Sequence, residues 1–124
     1  MKILALDYGK ARVGVAFATG KIAEPIKVLP HNEKLFDQII QFVLDWEIEK
    51  LIIGLSENTM AVETKAFGVK LSTKINIPII YQDETLSSYQ VRNKLKQLPL
   101  KKRQGPIDHY AAAVILQNYL DDNY

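Results

Sequence analysis

Ile3-Leu4-Ala5-Leu6-Asp7-Tyr8-Gly9-Lys10-Ala11-Arg12-Val13-Gly14 opens as an unbroken apolar run and closes as a basic turn punctuated by glycines. The run Ile3-Leu4-Ala5-Leu6 lacks the apolar/polar alternation of a half-exposed strand, so it reads as a central strand buried on both faces. Asp7 sits at its end, where charge is normally excluded. Burying a carboxylate there is costly unless a cation or strong donors compensate it. Taken alone, such an acid is equally well a turn residue that accepts backbone hydrogen bonds. Two further carboxylate sites downstream, in comparable settings, shift the balance toward a shared site.

Outward from that stretch, three strand-like runs come first: Lys2 to Tyr8, Val13 to Thr19 and Ile22 to Leu29. The short turn between the first two predicts a hairpin. Pro25 lies inside the third run and cannot donate to a sheet ladder, which puts that strand at an edge. Asn32-Glu33 open a helix whose apolar residues Leu35, Phe36, Ile39, Ile40, Val43 and Trp46 recur at helical spacing. A fourth strand, Lys50 to Leu55, leads through the polar loop Ser56 to Thr59 into a helix marked by Val62, Ala66, Phe67 and Leu71. Ile77 to Gln82 is a fifth strand. Ser87 with Gln90 is a capping-box pattern opening a helix that carries Val91, Leu95 and Leu98 and stops at Pro99. After Gly105-Pro106 a last helix runs to about Leu120. Antiparallel strands followed by strands alternating with crossover helices imply one α/β domain over residues 1–124, a mixed sheet with helices on both faces.

The bulk composition narrows the chemistry. With 124 residues, 48% hydrophobic and 24% charged, the chain has enough apolar material for one core. It has no apolar stretch near the length of a membrane span and no signal-peptide pattern at its start, so a cytosolic (cytoplasmic) protein with no membrane partner is expected. The absence of cysteine removes disulfides, thiolate nucleophiles and thiolate zinc sites, and two isolated histidines do not make a metal site. Any metal must be held mainly by oxygen. Net charge is only +2, but its distribution is uneven: Arg92, Lys94, Lys96, Lys101, Lys102 and Arg103 follow one another with no acid between them.

The second carboxylate site is Asp83-Glu84, directly after the fifth strand. If strands one, four and five are parallel, their carboxyl ends share one rim, and Asp7 and Asp83-Glu84 share it too. Ser87 already supplies the cap of the following helix, which leaves the pair little structural work. The third site is Asp108, in the first turn of the last helix. Asp108, Ala111, Ala112, Ile115 and Tyr119 fall on one face by spacings of three and four, and that otherwise apolar face should pack on the sheet. Acids on one oxygen-rich rim suit Mg²⁺ or Mn²⁺, which prefer carboxylate and water ligands and bridge phosphate oxygens. Two such ions about 4 Å apart can activate a water on one side of a phosphodiester and neutralise the leaving oxygen on the other. The basic segment 92–103, with Lys10 and Arg12 of the first turn, would hold the polyanionic backbone.

Leu4-Ala5-Leu6-Asp7-Tyr8-Gly9 with Arg12-Val13-Gly14-Val15-Ala16, then Asp83-Glu84-Thr85-Leu86-Ser87-Ser88, then Ile107-Asp108-His109-Tyr110-Ala111-Ala112-Ala113-Val114-Ile115-Leu116-Gln117 together resemble the YqgF (RuvX) family. The first motif alone is shared with sugar kinases and actin-like ATPases; the three in order are specific, and the resemblance spans essentially the whole chain. It implies an RNase H-like fold, strand order 3-2-1-4-5 with strand 2 antiparallel. It also implies a nuclease that processes the 5′ end of precursor 16S ribosomal RNA or, by an older assignment, resolves Holliday junctions. By position, Asp7, Glu84 and Asp108 match the family's catalytic, metal-binding acids, with Asp83 as neighbour. The partner is nucleic acid, RNA favoured over DNA, and both monomer and homodimer stay open.

The chain departs from the family after the fourth strand. Where Gly-Leu-Pro and a longer loop are usual, it reads Gly54-Leu55-Ser56-Glu57-Asn58-Thr59, and Glu57 is a weaker candidate as an auxiliary metal ligand. The competing reading from another class is an RNase H-like domain that binds nucleic acid without cutting it, since a fold does not fix a function. A nucleotide hydrolase ranks below both. It would need a second domain, and the chain has no Gly-x-x-x-x-Gly-Lys-Ser/Thr loop.

Overall fold

A computed structural model describes residues 1–55, 60–83 and 107–123. Five strands, β1 (Ile3–Tyr8), β2 (Arg12–Ala18), β3 (Glu24–Pro30), β4 (Lys50–Leu55) and β5 (Ile79–Asp83), form one sheet in the order β3-β2-β1-β4-β5. β2 runs antiparallel to β1 and β3, whereas β1, β4 and β5 are parallel. Three helices are described: α1 (Leu35–Asp45), α2 (Met60–Ser72) and α3 (Ile107–Asn123). The expected Ser87–Leu98 helix and the loop Ser56–Thr59 lie outside the described residues.

β1 is the central strand that its apolar run predicts. Its alternate residues enter two different cores. Leu4 and Leu6 join Val13, Val15, Leu51 and Ile53 against Leu35, Ile39 and Val43 of α1 and Leu71 of α2. Ile3 and Ala5 join Ala16, Ala18 and Ile52 against Ala112, Ala113, Ile115, Leu116 and Tyr119 of α3. The first core is built from large aliphatic side chains, whereas the second is alanine-rich on the sheet side, Ala5, Ala16, Ala18 and Ala23, and meets Ala112 and Ala113 of α3. Short side chains let α3 lie close to the sheet, so its backbone position is tightly fixed by packing.

Pro25 and the edge position of β3 agree. Val15 pairs with Lys27 but Ala16 pairs with Pro25, so Ile26 is an extra residue on the edge strand, a bulge next to the proline. Two expectations shift. α1 begins at Leu35 instead of Asn32-Glu33: the Asn32 side chain accepts from the Lys34 backbone N–H at 2.9 Å, making a turn before the helix rather than its cap. On α2, Val62 is 75% exposed and Ala66 also faces outward, while Thr64, Gly68 and Leu71 are buried. The inward stripe passes through a threonine and a glycine, so apolar periodicity selected a neighbouring face. At Gly68 a Cβ would meet the hydroxyl end of Tyr81, so a larger residue there would require that side chain to shift.

Candidate nucleic-acid active site

The register of the parallel strands locates the rim. Leu6, Ile53 and Tyr81 stand in one row across β1, β4 and β5. Asp7 is one residue past that row, and Asp83, paired with Leu55, is two past it. Side chains alternate along a strand. Asp7 therefore shares the face of Ile3 and Ala5, the face covered by α3, and its partner across the hairpin is the buried Gly14. On β5 the same parity belongs to Ile80, which packs against this core, and to Gln82. Glu84 follows Gln82 by two in the sequence and lies outside the described residues.

Which end of α3 meets this rim follows from contacts at its other end. Lys50, at the start of β4 beside Ile3, donates to the Tyr119 hydroxyl at 2.8 Å. Gln117 bridges the β2–β3 connection, accepting from the Ala23 N–H and donating to the Lys21 carbonyl, both at 2.9 Å. The second half of α3 is thereby fixed at the amino end of β1. Tyr119 back to Asp108 is about 16 Å of helix, and Ile3 to Asp7 is about 13 Å of strand. The first turn of α3, where Asp108 is the second residue, accordingly extends toward the rim that carries Asp7. The side chains of Asp83 and Asp108 lie outside what is described. Ala112, Ile115 and Tyr119 are buried as expected of the inward face, and Ala111 is half-buried.

Beside Asp7 the β1–β2 turn encloses a cavity of about 220 Å³ lined by Asp7, Gly9, Lys10, Arg12, Gly14 and Val28. It brings together a carboxylate able to hold a hard cation and two exposed cationic side chains able to hold a phosphate. A single carboxylate there can supply one ligand to a divalent ion, with the two cations beside it for a neighbouring phosphate; the remaining ligands would have to come from other residues. Gly9 is the residue the turn demands, since a Cβ there would lie 2.7 Å from the Arg12 carbonyl oxygen. A larger groove, about 500 Å³ and lined in part by Tyr8, Phe36, Glu63, Phe67 and Lys70, opens on the opposite face of the sheet, away from Asp7. Tyr8 borders it. Burial, and secondarily the negative charge of Glu63, raises the Tyr8 hydroxyl above its ordinary pKa.

Of the expected site residues, Asp7, Lys10 and Arg12 come together at one cavity, and the backbones of Asp83 and Asp108 are placed at the ends of β5 and α3 described above. Glu57, Glu84, Arg92, Lys94, Lys96, Lys101, Lys102 and Arg103 lie outside the described residues. Among the described residues no cluster of three or more histidine or acidic side chains is assembled. Sequence reasoning passed over His31, which binds the β1–β2 turn from the position just after β3. Its signal was available in the hairpin arithmetic: Val13 opposite Leu29 and Arg12 opposite Pro30 bring His31 to Ala11.

A mixed sheet in this order, with an acid at the end of its first strand and a helix from the chain's end laid across that face, defines an RNase H-like protein. The profile of the RuvX family, described as Holliday junction resolvase, matches residues 1–122, and the chain belongs to that family. A protein of Streptococcus thermophilus named provisionally as a pre-16S rRNA nuclease is 34% identical over 98% of this chain and 98% of its own length. A protein of the same name from Streptococcus equi subsp. equi is 34% identical over the full length of both. Among solved structures, the fowlpox virus Holliday junction resolvase superposes with a TM-score of 0.69 at 12% identity, covering 100% of each chain. Thermus thermophilus RuvC gives 0.68 at 11% identity over 99% of this chain and 97% of the other. At such identities these two show a shared fold.

Proposed function

We propose that the chain is a metal-dependent nuclease hydrolysing a phosphodiester of structured nucleic acid, with Asp7, Glu84 and Asp108 as its acids and Asp83 beside them. The observation that carries this reading is the placement of Asp7: near the carboxyl end of the central strand β1, on the face that α3 covers, in a cavity shared with Lys10 and Arg12. The relatives' names favour precursor 16S rRNA as substrate; its 5′ end and a cytoplasmic place of action are what the family resemblance implies. The family description and the fold neighbours favour a four-way DNA junction as the second reading.

Mg²⁺ or Mn²⁺ ions held by these carboxylates would supply an activated water and neutralise the leaving oxygen, in the manner of two-metal phosphodiester hydrolysis. The chain's own residues do the positioning. Asp7 fixes the metal end of the site on a strand that cannot shift without disturbing two cores. Lys10 and Arg12 hold the adjoining phosphates, and the basic segment 92–103 extends that contact along the backbone. If the substrate is a junction, a two-fold dimer would match its symmetry, so solution mass bears on the choice.

The test is cleavage of labelled precursor rRNA, single-stranded RNA and a four-way junction with Mg²⁺ or Mn²⁺, by the wild type and Asp7→Asn. The substitution keeps shape and removes the charge that fixes the ion, so cleavage should be abolished while folding and binding survive. Melting curves provide a second readout: at a hundred times its Kd, a metal bound only by the folded wild type stabilises it by about 2.7 kcal/mol, and the variant by less. Equal metal response with no cleavage by either protein would leave a non-catalytic binding module as the better explanation.

A further inference from the structure

We propose that His31 is a positioning residue for the nuclease site, pinning the β1–β2 turn so that Lys10 and Arg12 stand beside Asp7 and grip one phosphodiester. The proposal rests on the function just given. Three contacts carry it. The His31 backbone N–H donates to the Ala11 carbonyl at 3.0 Å, extending the β2–β3 ladder by one step. The ring then reaches off the ladder: Nδ1 meets the Gly9 carbonyl at 2.5 Å, and Nε2 meets the Tyr8 hydroxyl at 3.2 Å. The ring also stands edge-on to Tyr8, centroids 4.9 Å apart.

The direction of each bond follows from the partners. A carbonyl oxygen only accepts, so Nδ1 carries the proton; in the neutral ring Nε2 then accepts from the Tyr8 O–H. One residue thus fixes carbonyls on both sides of Lys10 and the side chain that directly follows Asp7. Gly9 is a residue of high conformational freedom, and a turn built on it has many alternatives unless something external selects one. Lys10 and Arg12 are exposed and long, so any grip on phosphate depends on where the turn's backbone holds them. Fixing that backbone before substrate arrives removes an ordering cost from binding and from the transition state.

The experiment is a mutant cycle read in both Kd and single-turnover cleavage, on whichever RNA or junction the wild type cleaves. His31→Ala should slow cleavage by about tenfold or more, as small misplacements of positioning groups do. His31→Asn, whose amide can donate to the Gly9 carbonyl, should recover the rate to within about threefold. In a Lys10→Ala/Arg12→Ala background, His31→Ala should have no further effect, because the groups it positions are gone. A purely structural role would instead lower melting temperature in both backgrounds and give additive losses. Should His31→Ala fail to fold, His31→Gln, whose longer side chain carries its amide past the Gly9 carbonyl, replaces it as the non-rescuing variant. Wild-type rates in His31→Ala, or additivity in the cycle, would overturn the proposal. If the wild type cleaves nothing, the nuclease reading fails on that result alone, and the same cycle read in Kd for the RNA and the junction still decides whether His31 acts through Lys10 and Arg12.

Discussion

Lys50 donates from its ammonium to the Tyr119 hydroxyl at 2.8 Å, and the same nitrogen stands 5.3 Å from the centre of the Tyr119 ring. The pair joins the first residue of β4 to the second half of α3 and so sets which end of that helix lies at the amino end of β1. The opposite end, bearing Asp108, is thereby directed to the rim of Asp7.

The alanine interface beneath α3 should be intolerant of bulk. Ala16 is fully buried between β2 and α3. Ala16→Leu should cost about 1–3 kcal/mol by overpacking and should lower cleavage in the surviving folded protein more than that loss explains, because lifting α3 separates Asp108 from Asp7. Urea unfolding with cleavage measured well below the transition checks both. Unchanged activity at lowered stability would show that the helix's height does not matter to the site.

The basic segment should bind backbone through charge alone. Reversing Lys101, Lys102 and Arg103 to Glu should weaken binding to RNA and DNA regardless of sequence and flatten the dependence of log Kd on log salt, since fewer counterions are released. A salt titration by fluorescence anisotropy reads the slope; an unaltered slope would remove this segment from the interface.

Glu47, just past α1, has φ 52°, the left-handed region that a side chain disfavours. Its backbone N–H donates to Leu44 and that of Ile48 to Val43, closing the helix end. Glu47→Gly should therefore stabilise the fold by about 0.5–1 kcal/mol, less whatever the exposed 3.6 Å contact with Lys2 contributes. A lower melting temperature in the variant would mean that this ion pair outweighs the backbone strain.

Three tyrosines tie stability to alkaline pH. Burial, with Glu63 adding to it, raises Tyr8 above its ordinary value of 10.0, and burial alone raises Tyr81 and Tyr110. A phenol whose folded pKa lies above the unfolded one contributes stability that is complete below pH 10 and is lost as pH climbs through the folded values. Denaturant midpoints should fall above pH 10, and Tyr8→Phe should make that fall shallower. A midpoint flat to pH 11 in the wild type would contradict the direction of all three shifts.

The sequence by itself determined the sheet. The unbroken run Ile3 to Leu6 predicted a strand buried on both faces and Pro25 predicted an edge, both local consequences of which side chains and N–H groups a strand can carry; the alternation of elements predicted a mixed sheet, and the order β3-β2-β1-β4-β5 followed from the family resemblance of three ordered motifs. It also offered Asp7 as the anchor of a site and, through three ordered motifs, the family. Tertiary structure decided what depends on contacts between distant residues. The inward face of α2 runs through Thr64 and Gly68, with the end of the Tyr81 side chain lying where a Gly68 side chain would begin, an arrangement that apolar spacing does not announce. The direction of α3 is fixed by Lys50 and Gln117 acting across many intervening residues. The clamp of His31 on Gly9 exists only once β3 lies beside β2, because a hydrogen bond between residues 22 apart has no periodicity from which to be read.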